Sequence, residues 1–226
     1  MPKKVVLLVV CFAISLPLLS EEKVVKRLSD STAVLQAVVG KPDGIPKSVL
    51  DKAVCVLVYP SVKKVGVGLG VSYGRGVLTC RTGQRMSGKW SAPAMYTLDT
   101  GSLGAQLGGS STDYVLLIMN QQGADKVLSG KLKLGADASA SAGPSGANAG
   151  TPDVNSDILT YARAKGGLFA GASLGSASMG ADNDANKELY GKNVDGPQII
   201  RDGAVAAPAS AHGLLGLLDR VSPKRS

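Results

Sequence analysis

Gly171-Ala-Ser173-Leu-Gly175 has the spacing of an elbow that lifts a nucleophilic serine out of a strand-to-helix turn. Asp182, Asp184, Asp195 and Asp202 follow it, and then His212. In that order His212 would take the Ser173 proton while one aspartate oriented the imidazole, the chemistry of a serine esterase. The surroundings oppose it. The elbow must run straight from a strand into a helix, and Gly175-Ser-Ala-Ser-Met-Gly180 is a poor helix former. The chain also lacks the alternating strand–helix units of a hydrolase sheet.

Two other motifs fail on one or two residues. Gly83-Gln-Arg-Met-Ser-Gly88-Lys89 nearly spells a phosphate-cradling loop, but Trp90 stands where the magnesium-binding Ser or Thr is needed. Asp182, Asp184 and Asn186 alternate like calcium ligands, yet Lys187 and Asn193 occupy the positions that require Gly and Glu. Capping of a helix accounts for these acids better. A single histidine excludes a two-His metal site, and three cysteines exclude a zinc ribbon or a disulfide-dense scaffold. The expectation is a non-enzymatic protein with no metal and no cofactor.

The residue types that remain are cations. Between Asp51 and Asp99 there is no acidic residue, while Lys52, Lys63, Lys64, Arg75, Arg81, Arg85 and Lys89 all fall there. Such a stretch attracts anions, phospholipid headgroups among them, although the same residues could simply form a solvated face. Lys23, Lys26 and Arg27 add a second basic group beside Val24, Val25 and Leu28.

At the N-terminus Lys3 and Lys4 precede an apolar run from Val5 to Leu19, with Ser20 and Glu21-Glu22 behind it. This is the pattern of a secretory signal peptide, residues 1–20. The run is shorter than a spanning helix and is interrupted by Pro17. Cys11 lacks the small neighbours of a lipoprotein cleavage site. Loss of Lys3 and Lys4 takes the net charge from +8 to +6. The mature chain, residues 21–226, is expected in the periplasm or cell envelope, where nucleic acid is not a natural partner. Cys55 and Cys80 would then meet an oxidising compartment. They could pair if their strands are neighbours, and the reading favours two small buried hydrophobes.

These side chains need a scaffold. With 226 residues, 44% hydrophobic and 19% charged, the chain can bury a core. Twenty-nine glycines and 4% aromatics suggest turns and closely approaching backbones. The spacing of Val24, Val25, Leu28, Leu35, Val38 and Val39 predicts an amphipathic helix over Glu22 to Val39, stopped by Gly40 and Pro42. A short helix can start at Pro46. The period then changes. Val54 to Tyr59 reads as a buried strand, and Val65, Val67, Leu69, Val71 and Tyr73 alternate with glycines and Ser72, leaving one strand face nearly bare. Val77–Cys80, Ala94–Leu98, Ala105–Leu107, Tyr114–Met119 and Lys131–Leu134 are further strand candidates. Short helices are expected over Ala124–Leu128 and from Asp182 or Asn183 to Tyr190, with a last amphipathic segment over Ala209–Leu218. Ile158–Arg163 and Leu168–Leu174 read as a hairpin. The fold class is α+β: one domain with a strongly twisted antiparallel sheet or partial β-barrel and short flanking helices. Gly135 to Ser156, rich in Ala, Ser, Gly and Pro, would by itself pass for a linker.

Trp90-Ser-Ala-Pro93 followed by Gly108-Gly-Ser-Ser-Thr-Asp113-Tyr-Val-Leu-Leu-Ile-Met-Asn120 resembles the SYLF domain family. The likeness continues upstream through Ser72-Tyr-Gly-Arg75-Gly-Val-Leu-Thr-Cys80-Arg81. Downstream it takes in Lys133-Leu-Gly-Ala-Asp137-Ala-Ser, Ala142-Gly-Pro144, Ile158 to Gly171 and Asp182 to Gly191, covering about Lys23 to Leu218. The resemblance implies that Gly135 to Ser156 lies inside the domain and that Ser173 falls within a hairpin. It also implies binding of phosphoinositides or other anionic lipids, in eukaryotic members often through an N-terminal amphipathic helix. This chain departs from the family at Ser145 and Ala147, where relatives tend to carry a larger apolar and a basic residue.

The resulting expectation is an exported lipid-binding domain, peripheral on an anionic membrane. Lys23, Lys26 and Arg27 would steer the helix while Val24, Val25 and Leu28 enter the interface. Lys63, Lys64, Arg75, Arg81, Arg85 and Lys89 are the second group of headgroup contacts. The alternatives are an envelope protein-interaction module, with the basic stretch binding an acidic partner, and the esterase on Ser173 and His212.

Overall fold

The computed structural model describes residues 16–42, 44–67, 69–102, 108–142, 156–164, 169–171 and 177–225. Helix α1 (Leu16–Val38) is followed by the short α2 (Lys47–Leu50). Four long strands come next: β1 (Cys55–Val67), β2 (Leu69–Cys80), β3 (Ala94–Ser102) and β4 (Gly108–Ile118). After α3 (Gln121–Leu128) come the short β5 (Leu132–Lys133) and β6 (Ala140–Ala142). Then follow β7 (Ile158–Ala164), β8 (Phe169–Gly171) and β9 (Ala177–Ala181). Helices α4 (Asn183–Tyr190), α5 (Gly196–Ile200) and α6 (His212–Val221) close the chain.

The strands make one curled, half-barrel sheet in the order β5-β9-β3-β2-β1-β4-β7-β6, with β8 also on β7. Every pairing is antiparallel except β6 with β7. This is the expected α+β architecture, although α1, at 23 residues, is not short.

Alternation along the strands builds two cores, one on each face. Cys55, Leu57, Tyr59, Leu78, Tyr96, Leu98, Leu116 and Ile118 pack with Ala124, Val127 and Leu128 of α3 and Ile199 and Ile200 of α5. Their neighbours Val56, Val58, Val77, Met95, Val115 and Leu117 pack instead against α1, α4 and α6. A strand covered on both sides has no polar face, which is why Val54 to Tyr59 is continuously apolar. Cys55 and Cys80 sit directly opposite each other on β1 and β2 and are joined by a disulfide. That corrects the reading of two unpaired hydrophobes: neighbouring strands bring both sulfurs to one spot on the same face.

The bare face of β2 has a structural use. A Cβ at Gly76 would lie 2.4 Å from the Tyr59 ring and 2.5 Å from the Val58 carbonyl oxygen, and one at Gly74 would lie 2.7 Å from Val62. The space that these glycines leave is filled by β1.

The helix ends follow the residues. Gly40 has φ +69° just past α1, and Asp182 caps α4 by accepting the Ala185 N–H, with Gly191 left-handed beyond its end. Helix α5 starts in a capping box between Asp195 and Gln198. The hairpin of β7 and β8 is present, and residues 105–107 lie outside the described set.

Candidate anion-binding groove

Helix α1 places its residues by its period. Val24, Leu28, Leu35 and Val38 lie on the stripe against the sheet and are buried, while Lys23, Lys26 and Val25 face outward. Val24 and Leu28 are core residues and do not enter an interface as expected: their apolar contacts are already made with the sheet. Arg27 is only 6% exposed, and its Nη1 donates to Asp182 Oδ2 at 3.0 Å. It ties α1 to the cap of α4, so its charge is neutralised and it is not a free headgroup contact. Lys26 pairs with Asp30 one turn on, at the surface, where such a bond adds only a few tenths of a kcal/mol.

A bulge in β1 aims the next residue. Register shifts between Tyr59 and Val62 against β4 and between Val58 and Lys63 against β2, and within that stretch Ser61 takes φ +54° and its N–H donates to Asp113 Oδ1 at 2.9 Å. One inserted residue exchanges the faces of all that follows. Before the bulge the odd positions Cys55, Leu57 and Tyr59 face α3 and α5; after it Val62 does, and Lys63 turns towards α1.

Lys63 pairs in register with Tyr73 on β2. Two residues on, and so on the same face, Arg75 donates from Nε to the Tyr73 hydroxyl at 2.5 Å, its guanidinium 5.6 Å from the ring centroid. That hydrogen bond, with lesser help from Asp182 and Glu188, holds Arg75 more firmly protonated than an ordinary arginine. Together Lys23, Lys26, Arg27, Asp30, Lys63, Tyr73 and Arg75 line a groove of about 350 Å³ between α1 and the start of the β1–β2 hairpin. Among the described residues Lys23 and Lys63 have no carboxylate partner. The groove thus gathers several cations beside one aromatic ring, an arrangement whose chemistry suits an anion.

The remaining basic residues go elsewhere. Arg81 is fully buried: Nη2 donates to the Ser222 carbonyl at 2.9 Å and Oγ at 2.7 Å, Nη1 donates to the Gly88 carbonyl, and the guanidinium lies 4.3 Å from the Trp90 ring centroid. Burial lowers its pKa. It clamps the end of α6 and is not a headgroup contact. Arg85 and Lys89 are exposed on the turn after β2, ten or more residues along the chain from Arg75, and are not among the residues that line the groove. The Lys64 side chain lies outside the described set, although its backbone pairs with Ser72. A larger cavity of about 500 Å³ is lined by Thr82, Gln84, Gln121, Asp125 and Arg201. There Arg201 is paired with Asp125, and Arg81, which also lines it, has its guanidinium committed to Ser222 and Gly88.

The nucleophile pattern does not gain support. Ser173 lies outside the described residues, Asp182 is held by Arg27 and the α4 N-terminus, and Asp195 serves its capping box. Asn186 is engaged with the backbone of Met95, and no metal-ligand cluster occurs among the described residues. Among those residues no helix is long and apolar enough to cross a membrane.

Sequence reasoning missed Val71 and Tyr73 as surface groups. They are 66% and 44% exposed, and with Val25 they are the large hydrophobics that the described surface leaves open. A strand alternating with glycine reads as core. The pointer was Arg75, two residues from Tyr73, since a charge on an apolar face marks where that face meets water.

The sequence model of the family described as "Las17-binding protein actin regulator" (Ysc84) matches residues 99–221. An SH3 domain-containing protein of Schizosaccharomyces pombe is 34% identical over 187 residues, 80% of this chain and 42% of the relative. Protein YSC84 of Saccharomyces cerevisiae is 32% identical over 208 residues, 88% of this chain and 43% of the relative. The human SH3 domain-containing YSC84-like protein 1 is 28% identical over 184 residues, 80% of this chain and 52% of the relative. The chain spans about half the length of these curated relatives.

Proposed function

The chain belongs to the Ysc84 family of SYLF domains, and from that premise we propose that it is an exported, non-enzymatic lipid-binding domain held peripherally on anionic membranes. The observation that carries the reading is the convergence of Lys23, Lys63 and Arg75 on one groove, beside the Lys26–Asp30 pair, although 52 residues of chain separate the first from the last. Phosphate-bearing headgroups, phosphoinositide-like ones included, suit this arrangement, because several cations can share one multiply charged group. The Cys55–Cys80 disulfide supports an oxidising compartment, in keeping with the leader-like N-terminus and a periplasmic or envelope location.

Flotation with liposomes tests it. Each cation near an anionic surface adds about 1 kcal/mol, so replacing Lys23, Lys63 and Arg75 by Gln should weaken binding on the order of 100-fold. Raising the salt to about 0.5 M should weaken the unsubstituted protein in the same direction. Equal binding to neutral and anionic vesicles, or none at low salt, overturns the proposal. The name of the matching family favours a second reading, a protein-interaction module whose basic groove takes an acidic partner. A defined protein adduct on crosslinking in intact cells, with no vesicle binding, would select it.

A further inference from the structure

Resting on that lipid-surface reading, we propose that the β1–β2 hairpin, through Val71 and Tyr73, is the main apolar anchor that enters the interface of an anionic bilayer, with α1 contributing Lys23 and, of its described apolar side chains, Val25 beside it. An amphipathic helix can insert only the apolar stripe that it has free, and the described stripe of α1 from Val24 to Val38 is already packed on the sheet. Val24, Leu28, Val34, Leu35 and Val38 are all at or below 7% exposure in the core between α1 and the sheet. Presenting them to lipid would mean pulling α1 off the domain and breaking the buried Arg27–Asp182 pair. Val71 and Tyr73 need no such rearrangement.

Their chemistry fits the boundary layer. Alternate residues of β2 share a face, so Val71, Tyr73 and Arg75 form a row from apolar to aromatic to cationic. A tyrosine ring suits the headgroup level, and Arg75 reaches its hydroxyl, placing a guanidinium where a lipid phosphate would lie. Lys63 stands across from Tyr73 on β1, and Lys23 and Lys26 face it across the groove. On the other flank the β3 partner of Tyr73 is Asp99, which is exposed and would be repelled. The charge therefore fixes an orientation, with the α1 and β1 side towards the membrane and the β3 side tilted away.

Trp90 is the single tryptophan and is 7% exposed, so it serves as an internal reference that lipid does not reach. Val71→Trp and Gln122→Trp, the second on the far helical layer at α3, would each be added to the full chain. They would be mixed with phosphatidylglycerol vesicles carrying a shallow brominated lipid, and flotation would be run on the same samples. The expected result is flotation of both, with fluorescence of Val71→Trp falling by about half and that of Gln122→Trp unchanged. Val71→Asp should weaken vesicle binding about tenfold, as loss of one buried aliphatic contact implies, with an unchanged urea midpoint. Flotation without quenching at position 71, or quenching at both positions, overturns the hairpin anchor and leaves the lipid-surface reading standing. Absence of flotation overturns both.

Discussion

Replacing Asp182 by Asn should destabilise the domain by about 3 kcal/mol even though it only exchanges one carboxylate oxygen for an NH2 group of nearly the same size. The Asp182 carboxylate has two duties: one oxygen accepts the Ala185 N–H at the start of α4, and the other accepts from Arg27 at 3.0 Å. Asparagine keeps the capping oxygen, so the cap survives. What is lost is the counter-charge of an arginine that is 6% exposed, and an orphaned buried charge costs about 3–5 kcal/mol. Asp182→Ala should cost about 1 kcal/mol more, because it also removes the cap. Arg27→Met leaves an aspartate that is 13% exposed and still capping, and should cost less. In Arg27→Met with Asp182→Asn no charge is left unpaired, so the double variant should be more stable than Asp182→Asn alone. The coupling energy should be about 2 kcal/mol. Urea unfolding followed by Trp90 fluorescence, without reductant, reads the unsubstituted protein and its four variants, with the slope unchanged across the series. A coupling below about 0.5 kcal/mol would show that solvent screens the pair, and the claim that α1 is locked to the domain would fail.

Gly76→Ala should lower stability by about 1–3 kcal/mol, since the new Cβ meets the Val58 backbone, which cannot swing aside; the urea midpoint checks it. Breaking the disulfide with Cys55→Ala and Cys80→Ala should cost about 3.5 kcal/mol, from the entropy of a closed loop that links positions 25 apart. Both cysteines are fully buried, so reductant should act on the folded protein only through opening, as timed thiol labelling would report. Acid should destabilise the fold through Asp157. Burial pushes its carboxyl up, but hydrogen bonds from Lys126, Asn120 and the Ser139 N–H outweigh that and hold it below the usual range. A depressed carboxylate stabilises above its unfolded value of about 3.9 and loses that contribution as pH falls through the folded value. Asp157→Asn should therefore flatten the stability curve below about pH 4.

What could be read ahead of the structure was whatever left a local mark. Asp182, Tyr190 and Gly191 spelled a capped helix, and Val54 to Tyr59 spelled a strand with no wet face. Strand β9 was illegible, because Ala177-Ser-Met-Gly-Ala181 has too little apolar bulk to show a period and is ordered by β3 beside it. Helix α5 was missed although its capping box stood in plain sequence, since five residues give no periodicity. Of the site, the types were legible and the partners were not. That Lys63 would join Lys23 depended on one inserted residue near Ser61, and that Arg27 and Arg81 would be consumed inside the fold depended on Asp182 and Ser222, far along the chain.

Ser222 is gripped by Arg81 and Trp90 at the end of β2 opposite the groove. Eight residues of strand, about 26 Å, separate Arg81 from Tyr73. Reporter fusions are therefore best placed at the carboxyl end, where a bulky cargo would depart from a fixed post and leave the docking side unobstructed. The same cargo joined ahead of α1 would enter on the helix that carries Lys23 and Lys26.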